Sequence, residues 1–373
     1  MSNPTKRKNN NINSPSSKKT NKQLFIYSED FNIKRSEDLN IKHSDTEDEI
    51  NINTLFEEKV KEHVIIKKQI NCIQDLIDLG LSYDYNKTYN INLEILFRLV
   101  GPLTELNNMI GMENVKQDIM DHIIFKIQNL SNLNDMMHTV IQGPPGIGKT
   151  QLAKIIGKIY LGMGILRNNK FVKASRSQLI GEYLGQTARI TQRVIDSAFG
   201  GVLFIDEVYS LGNSEKRDSF SKECIDTINE NLTDKKDDFI CIIAGYKDEI
   251  DSCFFSYNPG LERRFPVRFT IEPYTPEEIY KIFKKQVSDD EWSLCDTITS
   301  DFFKKNIKEF KYFGGDMEVL FARCKRAHSR RLISTSDTNK KILTIDDLNK
   351  RFEIFSNHKN VEKKPSYLET LYV

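Results

Sequence analysis

The stretch Gly143-Pro144-Pro145-Gly146-Ile147-Gly148-Lys149-Thr150 constrains this chain more than any other. A glycine, four residues, then Gly-Lys-Thr is a phosphate-binding pattern in which each residue type has a task. Glycines let the backbone turn so that successive N–H groups face an anion, the lysine reaches the terminal phosphates, and the threonine hydroxyl can ligand Mg²⁺. The pattern works only between a strand and a helix. His138-Thr139-Val140-Ile141-Gln142 before it is strand-like, and Leu152, Ile155, Ile156 and Ile159 behind it return at helical spacing. A nucleotide site is expected here.

A second stretch completes the first. Gly201-Val202-Leu203-Phe204-Ile205-Asp206-Glu207 is an apolar run that ends in two carboxylates, as a buried central strand does at the carboxyl edge of a parallel sheet. Asp206 is placed to hold Mg²⁺, and Glu207 to polarise a water for attack on the γ-phosphate. Strand signals at 138–142, 171–174, 201–205, 239–244 and 267–271 alternate with helical ones. They imply an α/β fold with a five-stranded parallel sheet sandwiched by helices.

The remaining chain divides around this core. Residues 1–50 are rich in Asn, Ser, Lys and acids, which predicts a disordered polar tail. Residues 51–104 read as a helical extension: one helix over 54–80 stopped by Gly80, and a second over 92–100 broken by Gly101-Pro102. Its use is either to brace the main domain or to recruit a partner. The large α/β nucleotide-binding domain spans 105–272, with a helix carrying Val115, Ile119 and Ile123 ahead of the first core strand. Thr275-Pro276-Glu277-Glu278 is a helix start with cap, proline and capping box. It opens a smaller helical domain at 273–356, with further helices over 300–311, 316–331 and 344–356, and then a tail at 357–373.

Composition narrows the partners. Lys+Arg 54 against Asp+Glu 53 gives a net charge of +1, so nothing in the bulk charge favours nucleic acid or a membrane. The six cysteines form no C-x-x-C pair or His-linked set, which argues for a reduced compartment and against zinc. No apolar run reaches spanning length and no secretory core leads the chain, so an intracellular, cytoplasmic protein is expected. Lys6-Arg7-Lys8 and Lys18-Lys19 fit clusters read by nuclear import machinery, although solvated tails carry such clusters too.

With both motifs in hand, the chain resembles the AAA+ ATPases and, within them, the CbxX/CfqX family that includes the red-type Rubisco activase. The resemblance covers about residues 105–330. It rests on Gly143 to Thr150, Leu179-Ile180-Gly181-Glu182-Tyr183-Leu184-Gly185-Gln186-Thr187-Ala188 and Gly200 to Leu211. Asp218-Ser219-Phe220, Glu223 to Thr227, Ile243-Ala244-Gly245-Tyr246 and Asn258-Pro259-Gly260-Leu261 leading into Arg263-Arg264-Phe265 also carry it.

The resemblance implies ATP and Mg²⁺ as cofactors and a helical lid after the α/β domain. Nucleotide contacts would come from Gly143, Pro144, Pro145, Gly146, Ile147, Gly148, Lys149, Thr150 and Gln151, with Ile110, Gly111 and the first-sensor position Tyr246. Metal would fall to Thr150 and Asp206, and catalysis to Glu207, Lys149 and Arg264, the last an arginine finger acting in trans in a homo-hexamer. Arg263 competes for that part, and an ordinary ion pair with Glu262 is the other use for Arg264. Tyr183 would be the pore-loop aromatic that grips an extended polypeptide, or else a tyrosine packed at a helix start. One departure stands out: where similar proteins place a second-sensor arginine, Phe313-Gly314-Gly315-Asp316-Met317-Glu318 offers Glu318. Either Arg323 or Lys325 replaces it, or the lid is more weakly coupled to nucleotide. Arg323, Lys325, Arg326, Arg330 and Arg331 read as a solvated or subunit-facing surface more than a nucleic-acid patch.

These readings give a Mg-ATP-driven ring that remodels or threads a protein through a central pore. The alternatives are a nucleic-acid motor or loader on the same fold, and an ATP-binding scaffold with weak hydrolysis.

Overall fold

The computed structural model describes residues 61–130, 136–183, 185–212, 218–333 and 341–361. The expected tail at 1–50, its basic clusters and the last twelve residues lie outside them.

The first described elements are strand β1 (Glu62–Val64), helix α1 (Ile73–Leu81), strand β2 (Lys87–Tyr89), and helices α2 (Leu93–Asn107) and α3 (Glu113–Ile127). Two expectations are corrected here. The helix predicted over 54–80 is not helical at 61–72: β1 pairs in parallel with β2, Glu62 opposite Lys87, and the chain stays extended until Cys72 caps α1. Ile66 and Ile70 reach the core from that extended segment, so their spacing of four does not report a helix. The second helix does not stop at Gly101-Pro102 but runs through both to Asn107. Leu96, Leu99, Leu103 and Leu106 on its inner face are fully buried, and that packing offsets the hydrogen bond which Pro102 cannot make.

The α/β core follows: β3 (Thr139–Gln142), α4 (Lys149–Gly162), β4 (Phe171–Ala174), α5 (Arg176–Leu179), α6 (Thr187–Ser197), β5 (Val202–Ile205), α7 (Ser219–Asp234), β6 (Ile240–Gly245), α8 (Lys247–Cys253) and β7 (Val267–Thr270). All five strands, β3 to β7, are parallel as expected, and the structure sets their order as β4-β5-β6-β3-β7. The central strands β5, β6 and β3 are buried on both faces, and the pleat sorts the strand side chains into two cores. Val202, Phe204, Ile242 and Ala244 meet Leu152, Ile155 and Ile156 of α4 on one face. Leu203, Ile205, Cys241 and Ile243 meet Ile195 of α6 and Ile225 and Ile228 of α7 on the other.

The first core continues into both ends of the chain. Leu76 of α1 and Leu99 of α2 belong to it, α2 lies against α4, and Lys158 pairs with Glu105 at 2.6 Å. The extension thus packs on the nucleotide fold. At the other end come α9 (Pro276–Asp289), β8 (Ser293–Leu294), α10 (Ser300–Lys305), α11 (Phe313–Ile333), β9 (Ile342–Leu343) and α12 (Ile345–Val361). The expected capping box forms: Thr275 Oγ1 accepts from Glu278 N at 3.3 Å, and Thr275 N donates to the Glu278 carboxylate at 2.7 Å. The helix predicted over 300–311 ends at Lys305 and gives way to a 3₁₀ turn at Ile307–Glu309, and α12 runs past residue 356 to Val361. Among the described residues no helix is long and apolar enough to cross a membrane.

His138, just before β3, is fully buried. Its Nδ1 accepts from Cys241 N at 3.0 Å, which leaves the proton on Nε2 for the Leu232 carbonyl at 3.0 Å. Both ring nitrogens are committed in the neutral form. Burial lowers the imidazole from the usual 6.5 to about 4, against the pull of the Leu232 carbonyl.

Two predictions follow from this packing. Between pH 6.5 and 4 the unfolded chain binds a proton at His138 that the folded chain does not. Stability should therefore fall as pH drops through that window, by about 3 kcal/mol from this group. Urea unfolding at neutral and acidic pH should show a shallower loss for His138→Asn. The second concerns two glycines. A Cβ at Gly80 would lie 2.6 Å from the Leu96 carbonyl oxygen, whereas Gly101 is exposed with nothing within 4 Å. Gly80→Ala should cost about 1–3 kcal/mol and Gly101→Ala should stabilise by about 0.5–1 kcal/mol, read as opposite shifts of the unfolding midpoint.

Candidate functional site

Strand β3 delivers the Gly143–Thr150 loop at the carboxyl edge of the sheet. Gly143 N donates to the Gly245 carbonyl at 3.1 Å, which ties the loop to the end of β6. Gly146 and Gly148 take left-handed backbone (φ 71° and 89°), so the chain curls before Lys149 starts α4. Tyr274 donates its hydroxyl to the Ile147 carbonyl at 3.0 Å, and the side chains of Met109 and Met112 approach Gly148; Ile110 and Gly111 lie between these methionines in the chain, Gly111 against Glu278 and Tyr274. From above, the start of α11 presses down on it. Gly314 N donates to Gly146 O at 3.0 Å, and a Cβ on Gly146 would meet the Tyr312 carbonyl.

Lys149 Nζ donates to the carbonyls of Gly143 at 2.9 Å and Pro144 at 2.7 Å, and lies 5.3 Å from the centre of the Tyr246 ring. Burial holds its pKa below the usual lysine range, opposed by Asp206 and Glu207. Tyr246 caps α8 directly after β6 and its ring is 5.7 Å from that of Tyr209. The expected first-sensor residue and the loop lysine thus meet. Gln151 is exposed in the first turn of α4.

Strand β5 brings the carboxylates to the same edge. Thr150 Oγ1 donates to Asp206 Oδ2 at 3.2 Å. Neighbouring ligands on a Mg²⁺ octahedron with bonds near 2.1 Å lie about 3 Å apart, so one hydroxyl and one carboxylate oxygen at this spacing fit the ion. Among the described residues there is no cluster of three or more His, Cys, Asp or Glu side chains that could hold a metal. An ion at Asp206 would thus take its other ligands from phosphate and water. Glu207 follows in left-handed backbone (φ 50°) with its side chain exposed, so the chain turns sharply at this carboxylate. The next turn is pinned by Arg176. Its Nη1 donates to the carbonyls of Ser210 at 2.7 Å and Leu211 at 3.1 Å and to Ser221 Oγ at 3.1 Å, and its Nη2 to Asp218 at 2.6 Å. Asp218 caps α7 and is held at about 2: burial opposes this, and hydrogen bonds from Ser221 and Arg176 outweigh it.

Lys173 and Arg176 are residues of this site that sequence reasoning missed. The usable signal was weak: both follow the second strand signal, Phe171-Val172, but only the pairing of β4 with β5 puts Lys173 beside Asp206.

Other expected residues stand apart from this cluster. Arg264 lies in a 3₁₀ turn three residues before β7, at the amino end of the parallel strands. Its Nε donates to Thr233 Oγ1 at 2.5 Å and its Nη1 to Gly260 O at 2.8 Å. The Glu262 carboxylate pairs with Arg268 at 2.9 Å, not with Arg264, and Arg263 is exposed. Tyr183 is 67% exposed, which excludes a tyrosine packed into a helix start. On α11 Glu318 is exposed, Lys325 pairs with Asp290 at 2.8 Å and Arg323 stacks on Phe355. The two basic candidates for the second-sensor part are thus engaged within the C-terminal helices. Arg331 reaches Asp347 at 3.3 Å, so part of the basic stripe is spent inside this region and is not a free surface.

The model of the ATPase family associated with various cellular activities (AAA) matches residues 139–272, the segment that holds the phosphate loop and the carboxylates but not the flanking contacts from Met109, Met112, Tyr274 and α11. A putative cfxQ-like protein of Acanthamoeba polyphaga mimivirus is 45% identical, over 76% of this chain and 72% of that protein. The chain belongs to the CbxX/CfqX family, the CfxQ-like AAA ATPases. A CfxQ homolog of Guillardia theta, 32% identical over 72% of this chain and 94% of its own length, is a second member. Stage V sporulation protein K of Bacillus subtilis is 37% identical, but the match spans only 61% of that protein. As a CfxQ-like AAA ATPase the chain is an ATP hydrolase.

The Arg176 fork supports the turn that follows Glu207 in this ATPase. Arg176→Lys keeps the charge but cannot reach four acceptors at once, and should cost about 1–3 kcal/mol of stability in urea unfolding.

Proposed function

We propose that this ATPase works as a ring of six copies that remodels a protein by drawing an extended segment through its centre. The observation that carries the reading is the convergence of Lys149, Thr150, Asp206, Glu207 and Tyr246 on one edge of the sheet, while Arg264 and Tyr183 stand apart from it with other surroundings.

In this reading Lys149 exchanges the Gly143 and Pro144 carbonyls for the outer phosphates of ATP, and Thr150 and Asp206 hold Mg²⁺. The ion, when bound, supplies Lewis-acid stabilisation of phosphoryl charge. Glu207, exposed and one residue beyond Asp206, orients the attacking water, and Tyr246 beside Lys149 senses the γ-phosphate. The loop glycines, Pro144, Pro145, Ile147 and Gln151 wrap the phosphates, and Ile110 and Gly111 flank the base side.

Arg264 acts in trans. It lies before β7, at the opposite end of the strands from its own phosphate loop. A four-residue strand is about 13 Å long, more than a guanidinium could span while keeping its partners at Gly260 and Thr233. A neighbour's site is the alternative destination. Tyr183, exposed and flanked by Gly181 and Gly185, contacts peptide through apolar surface and stacking, which suits a client of any sequence. Residues 105–272 serve as the motor and 273–356 as its lid, with 51–104 as a brace. In this reading the protein acts in the cytoplasm.

Glu207→Gln should lower ATP turnover at least about 100-fold while nucleotide still binds. The same variant, loaded with ATP, should retain a protein client in a pull-down, and Tyr183→Ala should release it. Turnover unchanged in Glu207→Gln would overturn the catalytic assignment. Stimulation by DNA or RNA with Tyr183→Ala harmless would favour a nucleic-acid motor.

A further inference from the structure

Beside Asp206 and Glu207 opens a cavity of about 700 Å³ that contains a cation to which no role has been given above, Lys173. Lys173 stands opposite Phe204 near the carboxyl end of β4, and its Nζ lies over that ring, 5.9 Å from the centre. The ammonium is 2.9 Å from Asp206 Oδ2, the same oxygen that accepts from Thr150. An ammonium hydrogen-bonded to that oxygen and a divalent cation coordinated by it repel each other and contend for the same lone pairs.

A lysine in this position has two conceivable uses: to share phosphate charge with Lys149, or to compete with the metal for the carboxylate. The geometry favours competition. Nζ is bound to the proposed metal ligand itself, and the side chain is 54% exposed, so it can swing into water with little lost packing.

We propose that Lys173 is a built-in competitor for Mg²⁺ at Asp206, a displaceable counter-ion that leaves Oδ2 when the metal binds and so sets how much Mg²⁺ tightens nucleotide. The proposal rests on the assignment of Thr150 and Asp206 as metal ligands. Removing the ammonium favours the metal-bound state. Because half-exposed ion pairs are weak, the coupling should rise by only about two- to fivefold.

The test is equilibrium binding of a fluorescent, nonhydrolysable ATP analogue to the full chain, with excess Mg²⁺ and with EDTA, for the wild type, Lys173→Gln and Lys173→Arg. The ratio of the two dissociation constants measures the coupling. The expected result is a ratio about two- to fivefold larger in Lys173→Gln, a Mg²⁺ midpoint shifted to lower concentration, and a near-wild-type ratio in Lys173→Arg. An unchanged ratio in Lys173→Gln overturns the proposal. So does weaker binding in EDTA with an unchanged ratio, which would make Lys173 a phosphate ligand. If Mg²⁺ tightens the analogue in none of the three proteins, the metal-ligand assignment falls and the proposal with it.

Discussion

Strands β3 and β5 end at one edge of the sheet because each runs parallel to β6, which lies between them. Everything at the site depends on that pairing. Thr150, at the start of the helix after β3, and Asp206, just past β5, are separated by more than fifty residues, yet their oxygens are 3.2 Å apart. The end of the intervening strand keeps the way clear. Gly245 accepts from Gly143 N, and a Cβ there would come within 2.9 Å of the Tyr209 ring. A larger residue at the end of β6 would push apart the two loops that make the site.

The second consequence of the architecture is mechanical. The core on the α4 face is continuous from α1 and α2 through the sheet to Phe283 and Met317 in the C-terminal helices. The phosphate loop lies within it, with Met109 and Met112 on one side and the Tyr312–Gly314 backbone on the other. Similar ATPases are expected to link lid and nucleotide through an arginine, which here is Glu318. In this chain the backbone contact between Gly146 and Gly314 supplies a direct path. The Gly314 N–Gly146 O hydrogen bond and the Tyr312 carbonyl join the loop to α11 without a charged side chain in between.

Where the sequence was legible, it was because a residue's local neighbours decide its conformation. The five core strands fall within a residue of their expected places, since a run such as Val202-Leu203-Phe204-Ile205 has no other stable environment than a sheet covered on both faces. The Thr275 capping box and the start of α4 were equally plain. The misreadings came where distant packing overrode a local signal. Gly101-Pro102 is a breaker by every local rule, and four buried leucines hold α2 through it. Ile66 and Ile70 mimic a helical stripe from an extended segment. Arg331, read as surface, pairs with a buried Asp347 because α12 packs along α11.

By itself, then, the sequence determined a phosphate-binding pattern at Gly143–Thr150, a pair of carboxylates at Asp206-Glu207, and that both hang from a parallel α/β sheet. Each of these follows from residue types whose chemistry and backbone freedom work at close range. Only the tertiary structure decided that Tyr246 stands beside Lys149, that Arg176 locks the turn after Glu207, that Lys173 pairs with Asp206, and that Arg264 lies at the opposite end of the strands from its own loop. Those relations depend on strand order and on which edge of the sheet a turn occupies, and no local pattern of residues encodes either.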